Sequence, residues 1–259
     1  MSQMIHKTAI IADSAKLAAD VKVGAYSIIE EDVTIGAGTE IKSHVIIAKH
    51  TDIGENNRIF QFSSIGEEPQ DKKYNNEATR TVIGNNNTIR EYVTINRGTI
   101  DDGGVTQIGN NNWIMAYVHI AHDCILSDNI IIANGTTLAG HVHLDEYVIL
   151  GGFTKLHQFC RIGAHAFTAM DTGFQKDLPP YVMAQGNPAK PRTINAEGLK
   201  RRGFSQEEIN AIKKAFRLLY KSDLRLQEAL TAIQELAKEQ PAVQIMVDFI
   251  KASNRSIVR

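Results

Sequence analysis

The run Ile108-Gly-Asn-Asn-Asn-Trp-Ile114-Met-Ala-Tyr-Val-His-Ile120-Ala-His-Asp-Cys-Ile-Leu126 opens a stretch in which an aliphatic residue returns at every sixth position. The series continues through Ile132, Leu138, Leu144, Leu150 and Leu156 to Ile162. A helix cannot hold this period on one face, because successive members would step about 600° and drift round the cylinder. Three short strands with tight corners can. Each coil then takes about 18 residues and turns one aliphatic inward per side, which is the parallel β-helix.

Working outward, the same phase runs back through Ile65, Ile59, Ile53, Ile47, Ile41, Ile35, Ile29, Val23, Leu17 and Ile11 to Ile5. Glycine follows the inward residue at Gly36, Gly54, Gly66, Gly84, Gly109 and Gly163. These glycines, with Asn56-Asn57, Asn85-Asn86-Asn87 and Asn110-Asn111-Asn112, are expected at corners that need tight or left-handed backbone. Two polar loops interrupt the prism: one around 67–79, where Asp71 and Glu77 replace aliphatics, and one at 97–107, which contains Asp101-Asp102-Gly103-Gly104. Excursions from a solenoid gather on a functional face.

Forward of Ile162 the repeat fails at Thr168, and Pro179-Pro180 and Pro188 to Pro191 mark a linker. We expect a β-helix over 1–187 and a helical domain over 188–259. Ser205-Gln-Glu-Glu208 reads as a capping box, followed by Ile209, Ile212, Phe216 and Leu219 at helical spacing. A second helix is expected over 224–238, and Pro241 suits the first turn of a third. The helical tail is also expected to cover the strand edges at that end of the solenoid.

Of the 259 residues, 43% are apolar and 22% charged, as in ordinary globular proteins. No stretch approaches the ~18 apolar residues of a membrane span, and the first ten residues lack the pattern of a leader, so a cytoplasmic protein is expected. Cys124 and Cys160 share one phase of the repeat, two coils apart, or roughly 9.6 Å at strand spacing. That exceeds disulfide reach, so both are expected as buried thiols. Lys190 to Arg225 carries ten Lys or Arg against four Asp or Glu, although the whole chain has a net charge of −1. Such a segment steers an acidic partner. It lacks the interleaved aromatics of a nucleic-acid surface, so no nucleic acid is expected.

The repeat also carries His119, His122, Asp123, His141 and His157. Taken from the residues alone, three readings stand: an exposed histidine face, a zinc site built from adjacent coils, and general-base catalysis by His122 with Asp123 orienting its ring.

The series His119-Ile-Ala-His-Asp-Cys124, Leu138-Ala-Gly-His-Val142, His157-Gln-Phe-Cys160, Ile162-Gly-Ala-His165, Pro179 to Asn187 and Glu197-Gly-Leu-Lys-Arg-Arg-Gly-Phe204 spans nearly the whole chain. It resembles the acyl-carrier-protein:UDP-N-acetylglucosamine O-acyltransferases of lipid A biosynthesis, within the hexapeptide-repeat family. The resemblance implies a left-handed coil, a homotrimer, and the substrates UDP-N-acetylglucosamine and a 3-hydroxyacyl acyl carrier protein. It implies neither metal nor other cofactor. By resemblance His122 is the general base, Asp123 its support and the Gly140 N–H the oxyanion donor. Asp71, Lys73, His119, His141, His157 and Gln158 match substrate contacts, and Asn195, Glu197, Arg201 and Arg202 match the nucleotide end, where two arginines suit a diphosphate. Asn96 stands where some members have histidine. Met170 stands where others have glycine at the end of the acyl groove, which implies a shorter acyl chain. Other hexapeptide acyltransferases, using acetyl-CoA or another nucleotide sugar, and gamma-type metal-binding or scaffolding β-helices share the bare repeat.

Overall fold

A computed structural model describes residues 4–100 and 103–259. Asp101 and Asp102 of the second loop lie outside the described residues. The chain is a left-handed parallel β-helix followed by a helical segment. Three sheets of nine, eight and ten strands form the prism, and each sheet takes every third strand of the chain until the last two strands, which both join the ten-stranded sheet. Registers repeat at eighteen residues, as in Ile11 with Ile29 and Ile120 with Leu138.

The loops do not break this stacking. Ile53 pairs with Ile83, thirty residues on, and Ile83 pairs with Ile108, twenty-five on. Against the ordinary eighteen, the first loop is therefore an insertion of twelve residues and the second of seven. The inward aliphatics Ile47, Ile65, Ile95, Ile120 and Leu138 are fully buried. Each contributes on the order of 1.5–3 kcal/mol, with extended-chain numbers as an upper bound.

The corners differ from expectation in one respect. Left-handed φ falls three residues after the inward aliphatic, at Tyr26, Asp32, His44, Asn56, Asn86, Asn111, Asp123, His141 and Phe159 among others. Of the expected asparagines Asn56, Asn86 and Asn111 are left-handed, while Asn57, Asn87 and Asn112 are buried instead. Of the glycines that follow the inward residue, Gly66 alone is left-handed, at φ +82. Gly84 serves a different need: a Cβ there would sit 2.7 Å from the Gly109 carbonyl oxygen of the next coil. A ladder of buried asparagines runs up the inside, where the amide of Asn57 donates to the Gly84 carbonyl and that of Asn87 to the Gly109 carbonyl.

After Val182–Gln185 the chain reverses, and Lys190–Ile194 pairs antiparallel with it. The expected boundary at 187/188 falls inside this hairpin. Helices follow over Ala196–Arg201 (α1), Gln206–Tyr220 (α2), Leu226–Glu239 (α3) and, after a 3-10 turn at Pro241–Val243, Gln244–Ala252 (α4). The Ser205 and Glu208 capping box is formed, while α1 was not legible as a helix. The tail returns to the sheet edge, where Ile257 bridges Asp177 and the Val258 N–H donates to the Asp177 carbonyl.

Cys124 and Cys160 are both free and buried, and burial pushes the Cys124 thiol up to about 12 and the Cys160 thiol up to about 11. No helix among the described residues is long and apolar enough to cross a membrane.

Candidate active site

The strand His119–Ile120 leads into a corner at Asp123, whose φ is +60. A left-handed aspartate is tolerated better than most residues there, because its short side chain bonds locally. The turn places His122 Nδ1 2.7 Å from Asp123 Oδ2. Asp123 is buried, and three donors hold it: the Thr99 N–H to Oδ1 at 2.8 Å, the Thr99 hydroxyl to Oδ2 at 2.7 Å, and the His122 ring. Burial by itself raises this carboxyl. The bonds from His122 and Thr99 outweigh it, so Asp123 titrates below the usual range and stays ionised near neutrality. Its backbone N–H is tied in turn to Thr106 Oγ1 at 2.8 Å.

An ionised Asp123 fixes the proton on His122 Nδ1 and leaves Nε2 as the basic atom. That side of the ring faces Gly140 in the next coil. A Cβ at Gly140 would lie 2.6 Å from His122 Cε1 and 2.7 Å from Nε2, so any other residue displaces the imidazole. Glycine here serves ring placement as well as close approach of a substrate. His141 meets His122 edge-on with ring centroids 5.0 Å apart, and its Nε2 lies 3.8 Å from Asp123 Oδ2. His119, partly buried, bonds Thr94 through Nδ1 at 2.8 Å, and burial followed by the nearby His122 lowers its pKa.

His122, Asp123 and His141 offer three ligand atoms within 4.8 Å of one another. The His122 and Asp123 atoms are spent on each other at hydrogen-bond distance, an arrangement that suits a base and its orienting carboxylate.

Both loops converge on this corner. Arg97 is 1% exposed and clips them together: its Nη1 donates to the Gly66 carbonyl and its Nε to the Tyr74 hydroxyl at 3.0 Å. Asn96, also buried, donates to the Glu68 carbonyl, so it anchors the first loop. A hollow of about 180 Å³ lies between Asp71, Lys73 and Tyr74 on one side and Thr99 on the other. Asp71 and Lys73 thus lie one residue removed from the grip on Asp123.

The remaining candidates lie elsewhere. His157 and Gln158 are exposed one coil beyond His141, and His157 contacts Arg255 at 3.4 Å. Asn195 caps α1, accepting from the Gly198 N–H and donating to the His165 carbonyl, so its amide already serves the chain. Arg202 lies over the Tyr147 ring at 5.0 Å and reaches His165 Nδ1 at 3.4 Å. Glu197 and Arg201 are exposed on α1. This cluster sits at the next corner of the prism, since residue 165 follows residue 123 by two coils and one six-residue side. One chain does not bring Arg202 to His122. Met170, expected to close a groove, is 70% exposed beside the third corner at Asp171.

With that geometry fixed, similarity to known proteins becomes informative. The acyl-carrier-protein–UDP-N-acetylglucosamine O-acyltransferase of Herminiimonas arsenicoxydans is 55% identical over 99% of each chain. The chain belongs to the UDP-N-acetylglucosamine O-acyltransferase family. The like-named Thiobacillus denitrificans enzyme is 52% identical, over 98% of this chain and 99% of its own. The UDP-N-acetylglucosamine acyltransferase of Francisella novicida superposes with a TM-score of 0.97 at 47% identity, covering 99% of this chain and 94% of that one. The family model for UDP N-acetylglucosamine O-acyltransferase, domain 2, matches residues 177–258, and the bacterial transferase hexapeptide model matches 106–140. In this acyltransferase, sequence reasoning missed Thr99, Thr106 and Arg97. The available signal was position alone, since each lies within the second loop.

Proposed function

We propose that this acyltransferase moves an (R)-3-hydroxyacyl chain from acyl carrier protein to the 3-hydroxyl of UDP-N-acetylglucosamine, the first step of lipid A biosynthesis, with His122 as general base. Relatives named for this reaction match along the whole chain. The observation that carries the mechanism is the Thr99–Asp123–His122 chain, which leaves Nε2 aimed past a glycine. His122 takes the sugar hydroxyl proton while the oxygen attacks the thioester carbonyl. The tetrahedral oxyanion accepts from the Gly140 N–H, which donates no other hydrogen bond among the described residues. Collapse breaks the C–S bond, and the proton on His122 passes to the departing thiolate. Asp71 and Lys73 hold the sugar from the first loop, with His119, His141, His157 and Gln158 around it.

Arg201, Arg202 and Glu197 hold the nucleotide of a neighbouring site in a homotrimer, with Asn195 fixing the start of their helix. Their distance from His122 within one chain supports this reading, because a corner of one prism then faces the next corner of another. The enzyme works in the cytoplasm, which suits its two free thiols.

Thiol release from 3-hydroxyacyl carrier protein, followed with and without UDP-N-acetylglucosamine, tests the assignment. Release is expected only with both substrates. Equal release without the sugar nucleotide, or equal use of acetyl-CoA, would overturn it.

A further inference from the structure

Beyond His141 a cavity of about 450 Å³ opens between the prism and the C-terminal tail. His141, His143, Phe159, Arg161, Asp177 and Arg255 line it. Neither arginine forms an ion pair among the described residues, and the Nε atoms of both are buried without a hydrogen-bond partner. Arg161 lies over the Phe249 ring at 5.0 Å, and Arg255 touches His157 at 3.4 Å. Asp177 is already engaged: Oδ1 accepts from the Arg161 N–H and Oδ2 from the Ser253 hydroxyl. Among the described lining residues two guanidinium groups face one carboxylate, and the half-buried Asp145, on which the Arg161 charge also acts, stands nearby. Buried guanidinium donors without acceptors call for an anion with several oxygens.

We propose that this cavity binds the phosphodiester of the prosthetic arm that carries the acyl thioester. The proposal rests on the reaction given above and names the part of the donor recognised here. Length favours it. Ile125, in the coil of His122, pairs with His143, and His143 with Arg161, while Leu178 bridges Ile162 in the coil after that. At strand spacing the two arginines therefore sit roughly 10–14 Å along the prism from the level of the base. A phosphopantetheine arm has about thirteen bonds between sulphur and phosphorus and spans on the order of 16 Å at ordinary bond lengths. The sugar nucleotide does not fit the same offset, because its diphosphate is joined to the ring that carries the attacked hydroxyl. Charge agrees with length in sign, since the two guanidinium groups in the lining suit an anion.

The test compares two small donors bearing the same 3-hydroxyacyl chain, acyl-phosphopantetheine capped as its methyl phosphodiester and acyl-pantetheine, with UDP-N-acetylglucosamine saturating. Wild-type protein is expected to use the phosphorylated donor with about tenfold higher kcat/KM, the scale of one charge-assisted contact. Arg161→Gln and Arg255→Gln should each shrink that preference, the double variant should abolish it, and Arg161→Lys should keep part of it. The KM for UDP-N-acetylglucosamine should stay within about twofold. Equal use of the two donors by wild-type protein overturns the proposal without any variant. So does a preference that survives in the double variant, or a rise confined to the KM of UDP-N-acetylglucosamine, which would assign the arginines to the nucleotide. If wild-type protein transfers from neither small donor nor the full carrier protein, the reaction itself has been misread, which is a distinct outcome.

Discussion

Thr99 offers a narrow test of how the base is prepared, because its hydroxyl bonds Asp123 while its backbone N–H would survive substitution. Thr99→Val is expected to lower kcat about tenfold with both KM values nearly unchanged, and Thr99→Ser to restore most of the loss. A wild-type kcat in the valine variant would remove Thr99 from the mechanism. Replacing His122 by alanine takes away the proton acceptor itself and should cost ~10²- to 10⁴-fold in kcat without unfolding the protein. Asp123→Asn should be milder, since the imidazole stays while its orientation and tautomer are no longer enforced. His165 reports on stability instead. Burial, aided by the Arg202 charge, lowers its pKa from 6.5 to about 4. Between those values the unfolded chain binds a proton that the folded chain does not, so stability falls as pH falls through that window. Thermal melts should show this decline, and His165→Phe, which keeps a ring between Tyr147 and Tyr181, should flatten it.

The two loops act as one element because Arg97 holds them together. Arg97→Met removes its bonds to the Gly66 carbonyl and Tyr74 and is expected to cost on the order of 2–3 kcal/mol of stability. It should also raise the KM for UDP-N-acetylglucosamine by freeing the segment of Asp71 and Lys73, and quicken proteolysis within residues 67–79. Unchanged proteolysis would mean that the loop holds itself. The prism was legible because its period is imposed by the core: each inward position must be aliphatic, and the failures of phase located both loops, at 67–79 and 97–107, while their lengths of twelve and seven residues beyond the repeat needed the strand registers. Thr99 and Arg97 were not, because they act through contacts across coils from a segment with no period of its own. α1 escaped for a related reason, since its six residues carry a single buried position, Leu199, too little for any amphipathic pattern. Counting by eighteen puts His165 on a different corner from His122, but Arg202 lies past the repeat and only its contacts with His165 and Tyr147 fix its place.

For the whole molecule, the decisive question is whether one prism completes the site of another. His122→Ala and Arg202→Ala, each impaired alone, should recover activity when mixed after dissociation, towards about a quarter of wild type for random association. No recovery from properly reassembled mixtures would place both residues in a single-chain site. Met170→Gly should shift donor preference towards longer acyl chains, while each methylene discriminated is worth about 0.8 kcal/mol. An unchanged length profile in competition between donors would leave Met170 outside the groove. The return of Ile257 to Asp177 has a consequence at the largest scale. A stack of identical coils has no intrinsic length, since every last rung is a template for another, and growth end to end would turn enzymes into fibres. Here Ile257 and Val258 lie along such a rung as a stopper. Trimming residues 253–259 should therefore leave a protein that elongates into filaments visible by electron microscopy, so that the tail sets the size of the particle as a terminator sets the length of a polymer.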